Sequence, residues 1–140
     1  MRRQAREAAL KVLFQMDVGK LSFDDALASV VSPEQGPGDR ALIETLARGT
    51  RTHLAEIDQL ITRFAEHWTL ERMAAVDRNV LRMAIFELQQ TTTPVPVVIN
   101  EAVELAKRYS TEESGRFVNG LLGKVVRSGI PPLVGQAADA

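Results

Sequence analysis

Apolar residues recur along this chain at the three- and four-residue spacing of amphipathic helices, and no segment alternates strictly as a strand does. The first helix is predicted from about Gln4 to Val18, with Gly19 as its stop. A second helix is expected after Ser22, a suitable N-cap residue, and should end before Pro33.

The middle of the chain continues the helical pattern from residue 39 to about residue 67, and the spacing leaves open whether Gly49 divides it. The next helix is predicted from about Glu71 to Gln89. Because it carries apolar stripes on two sides, we expect it to be central and buried. A linker over residues 91–95 follows, and Pro96 suits a first helical turn.

The last helix is predicted to begin after Ser110 or Thr111, where Glu112 favours a helix N-terminus. Gly120 and Gly123 lie inside it and lower its intrinsic stability, so we expect them to permit close helix contact. The fold class is therefore all-α, a compact single-domain bundle of about seven helices over residues 1–127, with a flexible C-terminal tail over residues 128–140.

The composition excludes several kinds of chemistry. The chain has 140 residues, no Cys and 2 His, which removes disulfides, thiolate metal sites and Cys nucleophiles. His53 and His67 have no third ligand at metal spacing, and no phosphate-binding loop or HExxH motif occurs. We therefore expect no metal, no cofactor, no catalytic residue and no enzymatic activity. No apolar run is long enough to span a membrane, and the cytoplasm is the predicted location.

The first helix has a second face on which Leu10 and Phe14 project away from its core stripe. Either another helix covers these two residues, or they form an apolar patch for a protein or nucleic-acid partner. Arg2, Arg3 and Arg6 lie at and just before the start of the same helix, and positive charge with free N–H groups at a helix start suits a phosphate. The net charge of −1 argues only against indiscriminate coating of nucleic acid.

Two further residues have open alternatives. Arg82 lies inside an apolar segment, so it either pairs with an internal carboxylate or reaches an anionic ligand. Phe117 lies at the edge of an apolar stripe beside Arg116, so it is either a residue at the rim of the core or a platform on which an unpaired base stacks.

Four segments together resemble the NusB family of bacterial transcription antitermination factors. They are Ala5-Arg6-Glu7 with Leu13-Phe14-Gln15, Val76 to Leu88 (VDRNVLRMAIFEL), Pro96 to Lys107 (PVVINEAVELAK) and Phe117 to Leu122 (FVNGLL). Each segment alone is weak, but their order and spacing are specific together. The resemblance covers the chain to about Arg127.

This resemblance implies a helical domain without catalysis that binds single-stranded boxA RNA of ribosomal RNA leader transcripts. It implies NusE, a ribosomal small-subunit protein, as a heterodimer partner, and the RNA polymerase elongation complex with other Nus factors as the place of action. The implied RNA-binding residues are Arg2, Arg3, Arg6, Arg82, Arg116, Phe117 and Asn119. The implied NusE-binding residues are Phe14, Glu71, Asp77 and Glu113.

Two alternatives come from other classes of protein. NusB-like domains also occur in ribosomal RNA cytosine methyltransferases, but this sequence has no nucleotide-binding strand–turn–helix and no Cys nucleophile. The other alternative is a self-associating interaction module, in which the Leu10 and Phe14 face would make a homodimer.

Overall fold

A computed structural model describes residues 2–66 and 68–129. Seven α-helices and one short 3₁₀ turn make up this part of the chain, which confirms the all-α prediction. The helices are α1 (Arg2–Asp17), α2 (Phe23–Val30), α3 (Pro37–Thr52), α4 (Leu54–Phe64), α5 (Ala75–Gln90), α6 (Val95–Tyr109) and α7 (Glu112–Arg127), and the 3₁₀ turn (Leu70–Arg72) precedes α5.

Local capping residues set several helix ends as predicted. The Ser22 side chain accepts a hydrogen bond from the Asp25 backbone N–H at the start of α2. The Thr111 side chain accepts one from the Ser114 backbone N–H at the start of α7. Pro96 lies in the first turn of α6, where its missing N–H costs nothing.

The long helical stretch breaks at His53, between α3 and α4, and Gly49 lies inside α3. Gly49 has a different role, because a Cβ atom there would lie 2.1 Å from Cζ of Phe86. Glycine at this position therefore lets α3 approach the buried Phe86 ring of α5 closely.

Helix α5 begins at Ala75, four residues later than the predicted start at Glu71. The intervening segment contains the 3₁₀ turn and an extended residue, Met73, before the N-cap residue Ala74. Met73 is buried and Val76 is partly buried on either side of this junction, so the apolar spacing continues through it and could not reveal the break.

Helix α5 is the centre of the bundle and packs against α1, α3, α4, α6 and α7. The prediction that it is buried on more than one side is confirmed, since both of its apolar stripes lie in the core. Around it, α1 packs on α2 and α3, and α6 packs on α7. This arrangement places the start of α1 beside the connection between α5 and α6.

The glycines of α7 do not act as predicted. A Cβ atom at Gly120 would meet no neighbour within 4 Å, and at Gly123 its three nearest neighbours would all be atoms of Arg127 in the same helix. The expectation that these two permit close helix contact was therefore wrong. Gly115 is the glycine at which α7 meets α6, because a Cβ atom there would lie 2.5 Å from Cγ of Lys107.

At the C-terminus, Ser128 caps α7, and most of the predicted tail, residues 130–140, lies outside the described residues. In the part of the chain that the structure describes, each helix is too short or too polar to cross a membrane.

Candidate nucleic-acid interface

The N-terminal arginines line a large groove on the described part of the molecule. This groove, which we call the arginine groove, has a volume of about 870 Å³ and lies between the start of α1, α3 and the connection from α5 to α6. Arg2 and Arg3 are exposed there. Arg3 forms a bidentate pair with Glu101 of α6, with Nε 3.0 Å from Oε1 and Nη2 2.7 Å from Oε2. Thr91, Thr92, Thr93, Leu42 and Val97 contribute further lining.

Arg6 lies at the inner wall of the arginine groove and is only 5% exposed. Its guanidinium forms a bidentate pair with Glu87 of α5, which is 3% exposed. This hydrogen bond is the main cause that raises the pKa of Arg6. Arg6 therefore ties α1 to α5 in this structure, and its role toward RNA stays a prediction.

Arg82 is separate from the other predicted RNA residues. Its Nε and Nη2 lie 2.8 and 2.9 Å from the two carboxylate oxygens of Asp58 on α4, and its Nη1 lies 3.2 Å from Oδ2 of Asp17 on α1. The structure thus bears out pairing with internal carboxylates, the first of the two alternatives for this residue. A role of Arg82 toward RNA remains a prediction.

Arg116 and Asn119 lie together in a second groove, of about 380 Å³, between α6 and α7. Asn100 and Lys107 of α6 face them across it. The groove thus presents two amide groups, which can donate and accept hydrogen bonds, beside two cations. Helix α6 forms the ridge between this groove and the arginine groove, because its residues line both.

Phe117 lines a third cavity, of about 300 Å³, which we call the Trp68 pocket. It also packs partly buried against the core, so it serves the rim of the core and a surface pocket at once. Trp68, which is 55% exposed, lines the same pocket, as do Asp77 and Glu113. The pocket therefore joins a predicted RNA residue to two predicted partner residues.

Asp77 has little compensation for its charge. Its Oδ2 accepts a hydrogen bond of 3.1 Å from the Ser114 hydroxyl, and its buried Oδ1 has no hydrogen-bond partner among the described residues. Burial raises the pKa of the Asp77 carboxyl, and the Ser114 hydrogen bond opposes this only in part.

The remaining partner residues occupy neighbouring elements. Phe14 is half-buried on α1, Glu71 is exposed on the 3₁₀ turn, and Glu113 is exposed at the start of α7. Glu113 Oε1 lies 2.6 Å from Nη2 of Arg116. Leu10 is only 4% exposed and belongs to the core, so the structure bears out the first alternative, cover by other helices, for Leu10, and the apolar patch is wrong for this residue.

Nothing in the described residues forms a cluster of three or more side chains that could hold a metal ion. His53 stacks on the Phe86 ring, with centroids 6.1 Å apart, and His67 lies outside the described residues.

Comparison with known proteins decides the family. The model of the NusB family matches residues 3–127. The chain is 50% identical over 130 residues to a transcription antitermination protein NusB of Solibacter usitatus (strain Ellin6076), covering 90% of this chain and 88% of that protein.

The chain belongs to the NusB family.

Solved NusB structures agree with this assignment. The fold matches T. maritima NusB with a TM-score of 0.88 at 38% identity, over 94% of each chain. It also matches a chain in a crystal structure of the antitermination factors NusB and NusE in complex with dsRNA, with a TM-score of 0.80 at 27% identity, over 91% of this chain and 96% of that one.

Sequence reasoning missed several residues that line the grooves and the Trp68 pocket of this NusB-family fold. Trp68 was not identified because it lies in a connection without helical periodicity. Glu87 and Glu101 were not identified as partners of arginines, because they lie more than 80 residues away along the chain. Asn100 carried a signal, since it belongs to the Ile-Asn-Glu-Ala segment that supports the family resemblance.

Proposed function

We propose that this protein is a transcription antitermination factor that binds the boxA element of ribosomal RNA leader transcripts together with NusE. It acts as an adaptor without catalytic activity and helps elongating RNA polymerase, with other Nus factors, to read through terminators. Such a role places it in the bacterial cytoplasm. Membership of the NusB family and similarity to a NusB chain solved with NusE and dsRNA support this proposal.

The observation that carries the RNA-binding proposal is the placing of exposed arginines along grooves on both sides of α6. Arg2 and Arg3 line one groove, and Arg116 lines the other with Asn119. Exposed guanidinium groups can bind phosphates, and an amide can contact a base edge. Phe117 adds an aromatic surface on the adjacent side of α7.

Arg6 and Arg82 have an indirect part in this proposal. Internal carboxylates already hold both guanidinium groups, so neither is free to follow a phosphate as an exposed arginine can. Arg6 supports the wall of the arginine groove, and Arg82 fixes α5 against α4.

The NusE surface is proposed to comprise Phe14, Glu71, Asp77 and Glu113. Asp77 is the residue whose environment best fits this role, because its buried carboxylate lacks a cationic partner among the described residues. A basic side chain of a ribosomal protein would supply that charge between the aromatic residues Trp68 and Phe117.

Fluorescence anisotropy with labelled boxA RNA tests the proposal. The protein is titrated into boxA and into a scrambled RNA of equal length, each with and without NusE. We expect a preference for boxA and tighter binding when NusE is added, because a joint surface adds affinity. Equal binding to both RNAs in the presence of NusE would refute the proposed function.

A pair of variants then tests the surface. Arg2→Ala combined with Arg3→Ala should weaken boxA binding. Arg40→Ala removes an exposed arginine of α3 that lines none of the three grooves described above, so it should have little effect. Circular dichroism should show an unchanged helix content in both.

A further inference from the structure

The connection between α4 and α5 has few attachments to the rest of the molecule. Trp68, Glu71 and Arg72 are exposed, and the backbone hydrogen bonds of residues 68–73 run to neighbours within the connection or at the end of α4. Among the described residues, Arg78 is the one whose side chain hydrogen-bonds to this backbone from another element.

Arg78 makes three hydrogen bonds in two directions. Its Nη1 donates to the backbone oxygens of Leu70 and Met73, at 2.8 and 3.2 Å. Its Nε donates to Oδ2 of Asp17, at 2.8 Å. Its side chain is only 13% exposed, so water competes little for these bonds. The rigid fork of a guanidinium allows one side chain to reach both sets of acceptors.

These bonds connect α1, the 3₁₀ turn and α5, which are three of the four elements that carry the proposed NusE surface; the fourth is α7 with Glu113. Arg78 follows Asp77 on α5, and Asp17 lies three residues after Phe14 on α1. The carbonyls of Leu70 and Met73 lie on either side of Glu71.

We propose that Arg78 is a positioning residue for the NusE surface, fixing the 3₁₀ turn with Glu71 relative to α1 and α5 before NusE binds. This inference rests on the proposed function. A surface that is already ordered loses less conformational freedom on binding, so the tether raises affinity without touching NusE.

Loss of the Arg78 hydrogen bonds is expected to affect only the 3₁₀ turn and the residues beside it. Without the two bonds to its carbonyls, the turn is held by Leu70, which packs partly buried on the core, and by the buried Met73. Exposed segments with few buried contacts open at low cost while the core remains folded. Loss of the tether should therefore free the turn and leave the arginine groove unchanged.

The test compares Arg78→Lys with wild type and with Arg72→Lys. Lysine keeps the charge, but a single ammonium cannot satisfy Asp17 and both carbonyls in the same geometry. Arg72 is an exposed arginine of the same turn that lines the Trp68 pocket but does not hold the turn's carbonyls, so Arg72→Lys controls for the loss of a guanidinium at this surface. Affinity for purified NusE is measured by calorimetry, and affinity for boxA RNA alone by anisotropy.

We expect Arg78→Lys to bind NusE about tenfold more weakly than wild type, with unchanged affinity for boxA alone. Trp68 is the only tryptophan of the chain, so its fluorescence anisotropy reports on this connection directly. That anisotropy should fall in Arg78→Lys and stay at the wild-type value in Arg72→Lys.

The outcomes separate this inference from the proposed function. Wild type that fails to bind NusE overturns both. Wild type that binds, with Arg78→Lys binding equally well, overturns the positioning role alone. Equal losses in Arg78→Lys and Arg72→Lys also overturn it, because the effect would then come from the arginines of the surface rather than from the tether. If Arg78→Lys does not fold, Asp17→Asn tests the tether from its other end, and unchanged NusE affinity there overturns the proposal.

Discussion

Two buried carboxylates of α5 have opposite electrostatic surroundings. Glu87 is paired through both oxygens with the guanidinium of Arg6, whereas Asp77 has one hydroxyl hydrogen bond and no cation among the described residues. A buried charge without a partner costs free energy, while a paired one holds two elements together. Glu87 therefore holds α1 against α5, whereas Asp77 is suited to pairing with a cationic side chain of a partner protein.

Asp77→Asn should change how stability depends on pH. The pKa of Asp77 is raised in the folded protein, so wild type loses stability from this group as pH rises from the unfolded-state pKa, about 3.9, through the higher folded value. The variant lacks this loss. Its unfolding free energy relative to wild type should therefore rise with pH across that window and be level above it.

Urea unfolding of both proteins at a series of pH values measures this difference. Asp17→Asn is a control in which the pKa shift of the replaced carboxyl has the opposite direction. Burial raises the Asp17 pKa, but hydrogen bonds from Arg78 and Asn79 with the charges of Arg78 and Arg82 lower it more, so the net pKa is below its usual value. Because a lowered carboxyl pKa stabilises the folded state, wild type has this stabilisation above the unfolded-state pKa of Asp17 and loses it as pH falls through the folded-state pKa. If the unfolding free energy of both variants, relative to wild type, changed with pH in the same direction, the opposite pKa shifts of Asp77 and Asp17 would be contradicted.

Arg6→Ala should destabilise the fold far more than Arg3→Ala. The first change leaves Glu87 buried without its partner, which costs about 3–5 kcal/mol. The second removes an exposed pair with Glu101, which contributes little to stability in water. Thermal unfolding followed by circular dichroism measures both, and equal changes in melting temperature would show that the Arg6 pair is not structural.

At the scale of elements, two glycines mark where helices need different separations. Gly49 of α3 faces the Phe86 ring of α5, while Gly120 of α7 faces no neighbouring atom. The Phe86 ring cannot move aside easily, because it is 5% exposed and stacks on His53.

Gly49→Ala should therefore lower the unfolding free energy by about 1–3 kcal/mol, since overpacking outweighs the gain in helix propensity. Gly120→Ala gains helix propensity without a clash, so it should raise the unfolding free energy by up to about 1 kcal/mol. Urea unfolding of the two variants gives both signs. A stabilising Gly49→Ala would mean that α3 and α5 can separate without cost.

Much of the helix order could be predicted because its signals are local. Ser22, Thr111 and Pro96 act through their own or the next few residues, so spacing was sufficient. The break before α5 could not be predicted, because apolar positions continue through it. The role of Gly49 depends on Phe86, 37 positions away along the chain, so no local pattern could reveal it.

For the candidate interface, the sequence indicated which residues are exposed but not which residues they contact. The exposed positions of Arg2, Arg3 and Arg116 agree with the surface expected from the sequence. The carboxylates that hold Arg6 and Arg82, and the Trp68 pocket, come from contacts between distant segments. Helical periodicity reports which face a side chain is on, but not which residue on another helix meets it.

At the scale of the whole molecule, the net charge of −1 hides an uneven arrangement. Cations outnumber carboxylates in the two grooves beside α6, whereas the carboxylates of Asp77 and Glu113 outnumber the one cation, Arg72, around the Trp68 pocket. In the proposed function, this difference in charge would let one small domain bind an RNA on one side and a basic protein on another, because each surface would attract its own partner.

This arrangement predicts a weak salt dependence for boxA binding by the protein alone. Three exposed arginines, Arg2, Arg3 and Arg116, would neutralise about three phosphates, so log K should fall with log[salt] with a slope of about −2 for single-stranded RNA. Arg116→Ala should make the slope shallower by about 0.7, whereas Arg40→Ala should not change it.

Adding NusE should steepen the slope, because a basic ribosomal protein brings further cations to the same RNA. Anisotropy titrations at several salt concentrations measure all four slopes, and a slope that is unaffected by Arg116→Ala would remove this residue from the RNA surface.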